Sequence, residues 1–116
     1  MTKQTFREIG WGMGKNNYNM MLKSYVYMLT NWKNEVLYTG VTSDLQKRIC
    51  QHRNHDFGGF SAKYKTHKVV YIEEFTDIRH AIEREKQIKS WSRDRNTDLI
   101  FEKNPHWVDL YNQLLG

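Results

Sequence analysis

The chain has 116 residues, of which 39% are hydrophobic and 27% are charged, so it is long enough for one small folded domain and too short for two of ordinary size. Its 18 lysines and arginines outnumber 13 acidic residues, and the net charge of +5 favours a polyanionic partner such as nucleic acid or an anionic membrane surface. The single cysteine, Cys50, excludes an internal disulfide and suits the reducing cytoplasm, and no apolar run approaches the roughly 18 residues of a membrane span.

Residues 1–22 differ in composition from the rest of the chain. They include three glycines and three asparagines and follow neither a helical nor an alternating hydrophobic pattern. We therefore expect a loosely ordered N-terminal extension over residues 1–22 and a single domain over residues 23–116.

Hydrophobic patterning predicts six elements within that domain. Runs rich in β-branched and aromatic residues predict strands, and three-and-four spacing of apolar residues predicts helices. The strands are predicted over 24–29, 35–41 and 69–75, and the helices over 43–53, 78–91 and 106–115. Ser43 begins an S-D-L-Q sequence that is typical of a capping box at the start of the first helix.

Glu85 interrupts the apolar stripe of the helix predicted over 78–91. The stripe includes Ala81, Ile82 and Ile88, and Glu85 occupies the position at which another apolar residue is expected. An unpaired carboxylate in such a place costs several kcal/mol, so Glu85 requires a nearby cation. An arginine and a metal ion are equally good candidates for that cation.

Polar residues also border the buried face of the first helix. Arg48 and His52 are one turn apart, next to the apolar positions Leu45 and Ile49. If the strand faces that carry tyrosines meet this helix, the domain brings together phenols, a guanidinium, an imidazole and a carboxylate. Such a set suits phosphodiester cleavage, which needs a cation for the phosphate, a base for water and an anchor for a metal ion.

Five short patterns, taken in order, resemble the motifs of the GIY-YIG nuclease superfamily, and most closely those of its small stand-alone bacterial members. They are Tyr25-Val26-Tyr27, Tyr38-Thr39-Gly40, Thr42-x-x-Leu45-x-x-Arg48-x-x-x-His52, Ala81-x-x-x-Glu85 and Asn104-Pro105. Each pattern alone is weak, but five in this order on suitable elements are specific. The first departs from the family name, since Tyr25 and Val26 stand where glycine and isoleucine are expected.

The resemblance implies an α+β fold in which a small three-stranded antiparallel sheet is flanked by helices, in the order β-β-α-β-α-α. It also implies hydrolysis of nucleic-acid phosphodiester bonds with one divalent cation, Mg²⁺ or another such as Mn²⁺. The residues to which it assigns catalytic positions are Tyr27, Tyr38, Arg48, His52 and Asn104, with Glu85 as the metal ligand.

Each of these side chains has a role that its chemistry permits. Arg48 would bind the scissile phosphate and balance its growing charge, and Glu85 would hold Mg²⁺ with several waters still bound. Tyr27 is the candidate base, helped by neighbouring cations because a phenol is a poor base at neutral pH. Tyr38 would orient the attacking water or share the proton, and His52 would assist either transfer. The alternative for both tyrosines is that they are buried aromatic residues with hydrogen-bonded hydroxyls.

A mixture of cations and aromatic residues in the later part of the chain suggests a nucleic-acid surface, because cations neutralise the backbone and aromatic rings stack on bases. The predicted contacts are Lys63, Tyr64, Lys65, Lys89, Trp91 and Arg93. The alternative for these cations is simple solubility. A zinc site formed by Cys50, His52 and His55 would need a fourth ligand from elsewhere.

These observations support three hypotheses from different classes. The first is a metal-dependent endonuclease, with DNA as the expected substrate and a role in DNA repair or recombination. The second is a nucleic-acid-binding module with little or no cleavage activity. The third is a structural or protein-interaction domain whose polar pocket is a buried network of ion pairs.

Overall fold

The computed structural model describes residues 23–53 and 66–115. The predicted extension over residues 1–22 and the predicted contacts Lys63, Tyr64 and Lys65 lie outside the described residues. The strands are β1 (Ser24–Thr30), β2 (Leu37–Thr42) and β3 (Lys68–Phe75), and the helices are α1 (Leu45–Arg53), α2 (Ile78–Ser90), α3 (Arg93–Lys103) and α4 (Tyr111–Leu115).

The three strands form one antiparallel sheet in the order β2-β1-β3. β1 lies at the centre, where its residues Val26 to Leu29 have no exposed surface, which explains why both of its faces are apolar. Tyr27 lies opposite Gly40 of β2, and the register with β3 shifts between Met28 and Leu29. The predicted α+β fold with a three-stranded antiparallel sheet is therefore confirmed.

Side chains that alternate along β1 enter two apolar clusters on opposite faces of the sheet. The cluster on the first face holds Tyr27, Leu29, Tyr38, Leu45, Ile49 and Val69, with Tyr111 of α4 packed against it. The cluster on the second face holds Val26, Met28, Val41, Val70, Tyr71, Ala81, Ile88 and Ile100. Helices α1 and α4 therefore cover one face, and α2 and α3 cover the other.

The start of α1 differs from the predicted capping box. The Asp44 carboxylate, rather than the Ser43 hydroxyl, accepts a hydrogen bond from the Lys47 N–H at 3.2 Å. The Thr42 hydroxyl in turn accepts the Asp44 N–H at 3.1 Å and fixes the turn from β2 into the helix. Asp44 is therefore the residue that satisfies an otherwise open amide in the first turn.

Two features after α2 were not predicted. Helix α3 was not predicted because its sequence has no apolar stripe, and Ile100 is its one buried residue. The helix begins after Ser92, whose hydroxyl accepts the Arg95 N–H at 3.2 Å. The last helix begins at Tyr111 and not at residue 106, because Trp107 has a left-handed backbone (φ 52°) that interrupts a helix there. Within the described ranges, no helix combines the length and apolar character needed to cross a bilayer.

Candidate active site

The two motif tyrosines lie on the sheet face that α1 covers. Tyr27 is fully buried and Tyr38 is 4% exposed, and their ring centroids are 6.4 Å apart. The Tyr27 ring extends across the neighbouring strand over Gly40, where a Cβ atom would lie 2.4 Å from the Tyr27 hydroxyl oxygen and 2.5 Å from its Cζ. The absence of a side chain at Gly40 therefore allows the Tyr27 hydroxyl to cross β2 and reach α1.

His52 of α1 completes a compact group with the two tyrosines. Its Nε2 lies 3.3 Å from the Tyr27 hydroxyl oxygen, and its ring packs edge-on against Tyr27 and Tyr38 with centroid distances of 6.0 and 5.0 Å. Burial of the imidazole, followed by the positive charge of Arg48, lowers the pKa of His52 to about 4. His52 is therefore neutral at pH 7 and able to accept a proton.

Arg48 lies one turn before His52 and is only 2% exposed. Its Nη1 lies 3.5 Å from Oε1 of Gln51. Because Arg48 acts on the pKa of His52, its guanidinium and the imidazole share one electrostatic environment. The predicted residues Tyr27, Tyr38, Arg48 and His52 are thus brought together on one face of the sheet.

A carboxylate from the C-terminal part of the chain holds the end of α1 against β3. Oδ1 of Asp109 accepts the N–H groups of Val69 and Tyr111 at 3.1 Å each, and Oδ2 pairs with the Arg53 guanidinium. The Arg53 guanidinium carbon also lies 4.0 Å from the centroid of the Tyr111 ring. These contacts fix the helix turn that carries His52. No local sequence pattern indicates these contacts, because they join three distant segments.

Glu85 is fully buried on α2, between Ala81 and Ile88, which have no exposed surface either. Its Oε2 lies 3.0 Å from Nζ of Lys89, one turn later in the same helix. A cation is thus present beside Glu85, and Lys89 supplies it. Helix α2 covers the sheet face opposite to the tyrosines, so Glu85 comes from the other layer of the domain.

Asn104 is 6% exposed and organises the turn that follows α3. Its side-chain amide donates to the carbonyl oxygens of Val70 at 3.1 Å and Val108 at 2.8 Å, and its Oδ1 accepts the Val108 N–H at 2.9 Å. These bonds attach the turn to β3. In this arrangement the Asn104 amide stabilises the backbone of the turn.

Three of the predicted nucleic-acid contacts have partners within the chain. Lys89 pairs with Glu85, and the Arg93 guanidinium donates to the carbonyl oxygens of Glu35 at 2.7 Å and Asn34 at 2.9 Å. The Trp91 ring centroid lies 4.0 Å from the guanidinium carbon of Arg95. Arg93 therefore attaches the start of α3 to the turn between β1 and β2, while its own side chain stays at the surface.

The alternative zinc site is not supported by the geometry of α1. Cys50 is exposed, whereas His52 is buried, so these two side chains point to different sides of the helix; His55 lies outside the described residues. In the described ranges, no group of three or more histidine, cysteine, aspartate or glutamate side chains could hold a metal ion. A single buried carboxylate, such as that of Glu85, fits Mg²⁺, which often uses one protein carboxylate and keeps several waters.

An exposed aromatic pair was missed at the sequence level. Trp32, in the turn after β1, is 59% exposed, and its ring stacks on that of His67 with a centroid distance of 6.2 Å and an interplanar angle of 20°. The Lys68 ammonium lies 6.0 Å from the Trp32 ring centroid. The sequence feature that could have indicated this pair is a tryptophan within a polar turn, a position at which a large aromatic side chain is not expected to be buried.

A family model described as the GIY-YIG catalytic domain matches residues 23–98. The chain belongs to the GIY-YIG family. The matched range contains Tyr27, Tyr38, Arg48, His52 and Glu85. Membership in the GIY-YIG family implies a nuclease-type domain whose substrate is nucleic acid, and GIY-YIG nucleases in general use divalent metal ions.

Bacterial relatives of similar size accompany the GIY-YIG match. A UPF0213 protein of Clostridium perfringens is 42% identical over 85 residues, which cover 70% of this chain and 86% of that protein. A UPF0213 protein of Syntrophus aciditrophicus is 36% identical over 89 residues, which cover 73% of this chain and 97% of that protein. The solution structure of a UPF0213 protein from Bacillus halodurans shares the fold, with a TM-score of 0.51 and 24% identity over 76% of this chain and 93% of its own.

Proposed function

We propose that this GIY-YIG domain is a metal-dependent endonuclease that hydrolyses phosphodiester bonds in DNA. The observation that carries the proposal is the group formed by Tyr27, Tyr38 and His52 beside Arg48, in which a phenol oxygen and an imidazole nitrogen are 3.3 Å apart. That distance permits proton exchange between the two groups. A purely apolar packing role for Tyr27 would not require a histidine at its hydroxyl.

Tyr27 and His52 are proposed to remove the proton from the attacking water. Neutral His52 accepts a proton at Nε2 when its Nδ1 carries the hydrogen. Tyr27 then takes the proton of the water while it passes its own to His52. Because Arg48 is one cause of the low pKa of His52, a phosphate bound at Arg48 would offset that charge and make the imidazole a better acceptor.

Arg48 is proposed to bind the scissile phosphate and to balance the charge that grows on its oxygens. Its burial keeps the charge in surroundings of low dielectric constant, where its attraction for an anion is strong. Tyr38, edge-on to His52, would position the attacking water. Asn104 would act indirectly, by holding the turn against β3.

Glu85 is proposed to hold the divalent ion, Mg²⁺ or Mn²⁺, through its carboxylate. Because α2 packs on the sheet face opposite to Arg48, such an ion would reach the same phosphate around the edge strand β2, where it would neutralise charge on the phosphate and leaving oxygen. The cationic side chains Lys63, Lys65 and Arg95, with the aromatic Tyr64 and Trp91, would bind the flanking nucleic-acid backbone and bases. We assign this activity to the cytoplasm and to DNA repair or recombination, in keeping with the exposed thiol of Cys50.

The test is cleavage of branched, single-stranded and duplex DNA, and of RNA, with and without Mg²⁺. Tyr27→Phe and Glu85→Gln should each abolish cleavage while leaving salt-sensitive binding in place. Tyr25→Phe is the matched control, because it removes a phenol from the same strand, two residues away, at a position packed against the same cluster. Equal cleavage by Tyr27→Phe and the unmodified protein would refute the proposed base.

A second candidate is a nucleic-acid-binding module that does not cleave. It is favoured by the burial of Arg48, since a guanidinium that is 2% exposed binds a phosphate only after its surroundings rearrange. Binding that weakens with salt, without cleavage of any of the substrates above, would identify this second function.

A further inference from the structure

The ion pair within α2 has a consequence for the metal site in the proposed function. The two partners differ in accessibility: the Glu85 side chain has no exposed surface, whereas that of Lys89 is 19% exposed. The pair therefore connects a buried carboxylate to solvent. A cation that approaches Glu85 from the side of Lys89 meets the ammonium beside that carboxylate.

The position of Lys89 favours the pair in several ways. A glutamate followed by a lysine four residues later is the better orientation for an ion pair on a helix. Lys89 also lies in the last turn of α2, where a positive charge interacts favourably with the helix dipole. The pair thus offsets part of the cost of burying the Glu85 carboxylate.

A divalent ion and the Lys89 ammonium compete for the same oxygen. Mg²⁺ binds carboxylate oxygens at about 2.1 Å, and the ammonium lies 3.0 Å from Oε2. At such separations the repulsion between the two cations is large in a buried site. Lysine has a flexible four-carbon stem, so its ammonium can turn towards solvent without moving the helix.

We propose that Lys89 is an internal competitor for the divalent cation at Glu85. In the metal-free protein the Lys89 ammonium occupies one carboxylate oxygen of Glu85, and it must leave before the ion binds. This inference rests on the proposed function, because it takes Glu85 as the metal ligand. It assigns Lys89 a role in setting metal affinity, in place of the direct nucleic-acid contact predicted from the sequence.

The first experiment measures Mn²⁺ binding by electron paramagnetic resonance. The variants are Lys89→Gln, Lys89→Met, Glu85→Gln and, as the matched control, Lys86→Met, which removes an exposed lysine of the same helix. Removal of the competitor should tighten Mn²⁺ binding on the order of tenfold, as is typical of coupled sites. Lys86→Met should leave the affinity unchanged, and Glu85→Gln should abolish specific binding.

The outcomes separate the inference from the proposed function. If Glu85→Gln abolishes binding but both Lys89 variants bind Mn²⁺ no more tightly than the unmodified protein, Lys89 is not a competitor and the metal site stands. If Glu85→Gln binds Mn²⁺ normally, the metal role of Glu85 fails and the inference fails with it.

A second measurement needs no substitution and therefore does not depend on how well the variants fold. In ¹⁵N-lysine spectra of the metal-free protein, the Lys89 ammonium should exchange slowly with water because it is paired with Glu85. Titration with Mg²⁺ should remove that protection with the same midpoint as metal binding. Protection that persists while Mg²⁺ saturates the protein would overturn the proposal.

Discussion

Gly40 lies directly opposite Tyr27 in the ladder between β2 and β1, and the Tyr27 ring occupies the space that a side chain at Gly40 would fill. The pairing is steric, since a Cβ atom would lie 2.4 Å from the hydroxyl oxygen. The glycine of the second motif therefore determines where the tyrosine of the first motif can place its hydroxyl.

Gly40→Ala should displace the Tyr27 ring and separate its hydroxyl from His52. We expect a loss of about 1–3 kcal/mol in the free energy of unfolding, as for other overpacked sites, together with a loss of cleavage. Urea unfolding measures the first effect. The matched control is the same substitution in a Tyr27→Leu background, in which the additional loss should shrink; an equal loss in both backgrounds would contradict the steric pairing.

The pKa of His52 predicts a pH dependence of stability. Because folding lowers this pKa from 6.5 to about 4, the unfolded chain binds the proton more readily between these values, so stability is present above pH 6.5 and is lost as the pH falls towards 4. The shift corresponds to on the order of 3 kcal/mol.

The measurement for His52 is urea unfolding at pH 7, 5 and 4. His52→Gln, which places an amide near the position of Nε2, should lose less stability on acidification than the unmodified protein. His80→Gln, at an exposed position of α2, is the control and should follow the unmodified protein. Parallel pH profiles for His52→Gln and the unmodified protein would disprove the assignment.

Arg48→Met should raise the pKa of His52. The rise should be partial, because burial of the imidazole is the larger cause of the low value and Arg48 the smaller. The His52 ring protons, followed by NMR during a pH titration, report the midpoint. Lys47→Met removes an exposed charge at the preceding residue and should leave the His52 midpoint unchanged. If Arg48→Met also left the midpoint unchanged, the guanidinium and the imidazole would not be coupled.

Asp109→Ala should loosen the end of α1. It removes the acceptor for two backbone N–H groups and the partner of Arg53, so we expect a loss of about 2 kcal/mol in the free energy of unfolding. Hydrogen exchange should increase at the last turn of α1, near His52. Asp98→Ala, at an exposed position of α3, should have little effect on either measurement. Unchanged exchange near His52 in Asp109→Ala would mean that Asp109 does not fix this turn.

The sequence predicted those parts of the fold that have a local signal. Strand β1 was recognisable from its apolar faces, and Glu85 was recognisable because it interrupts an apolar stripe. Helix α3 was missed since it buries only Ile100 and so has no stripe. The turn at Trp107 was not predicted because the neighbouring residues contain no pattern that indicates a left-handed backbone at this position.

Within the candidate site, single residues were easier to predict than their partners. Glu85 was expected to need a nearby cation, and the spacing of Glu85 and Lys89 is that of an ion pair within one helix. The guanidinium of Arg93, a predicted nucleic-acid contact, donates to a turn about sixty residues earlier in the chain, which the sequence did not indicate. Contacts of that kind depend on tertiary packing, which a local pattern does not encode.

The Asp109 contacts bear on how small this nuclease-type unit can be made. The segment that matches the family ends at residue 98, yet Asn104 and Asp109 lie beyond it and attach the chain to Val70, Val69 and Arg53. A fragment trimmed to the matched range would keep Tyr27, Tyr38, Arg48, His52 and Glu85 and would lose Asn104 and Asp109. It would lack the contacts of Asn104 and Asp109 that hold β3 and the end of α1 in position. The folded domain therefore extends beyond the C-terminal end of its recognisable motifs.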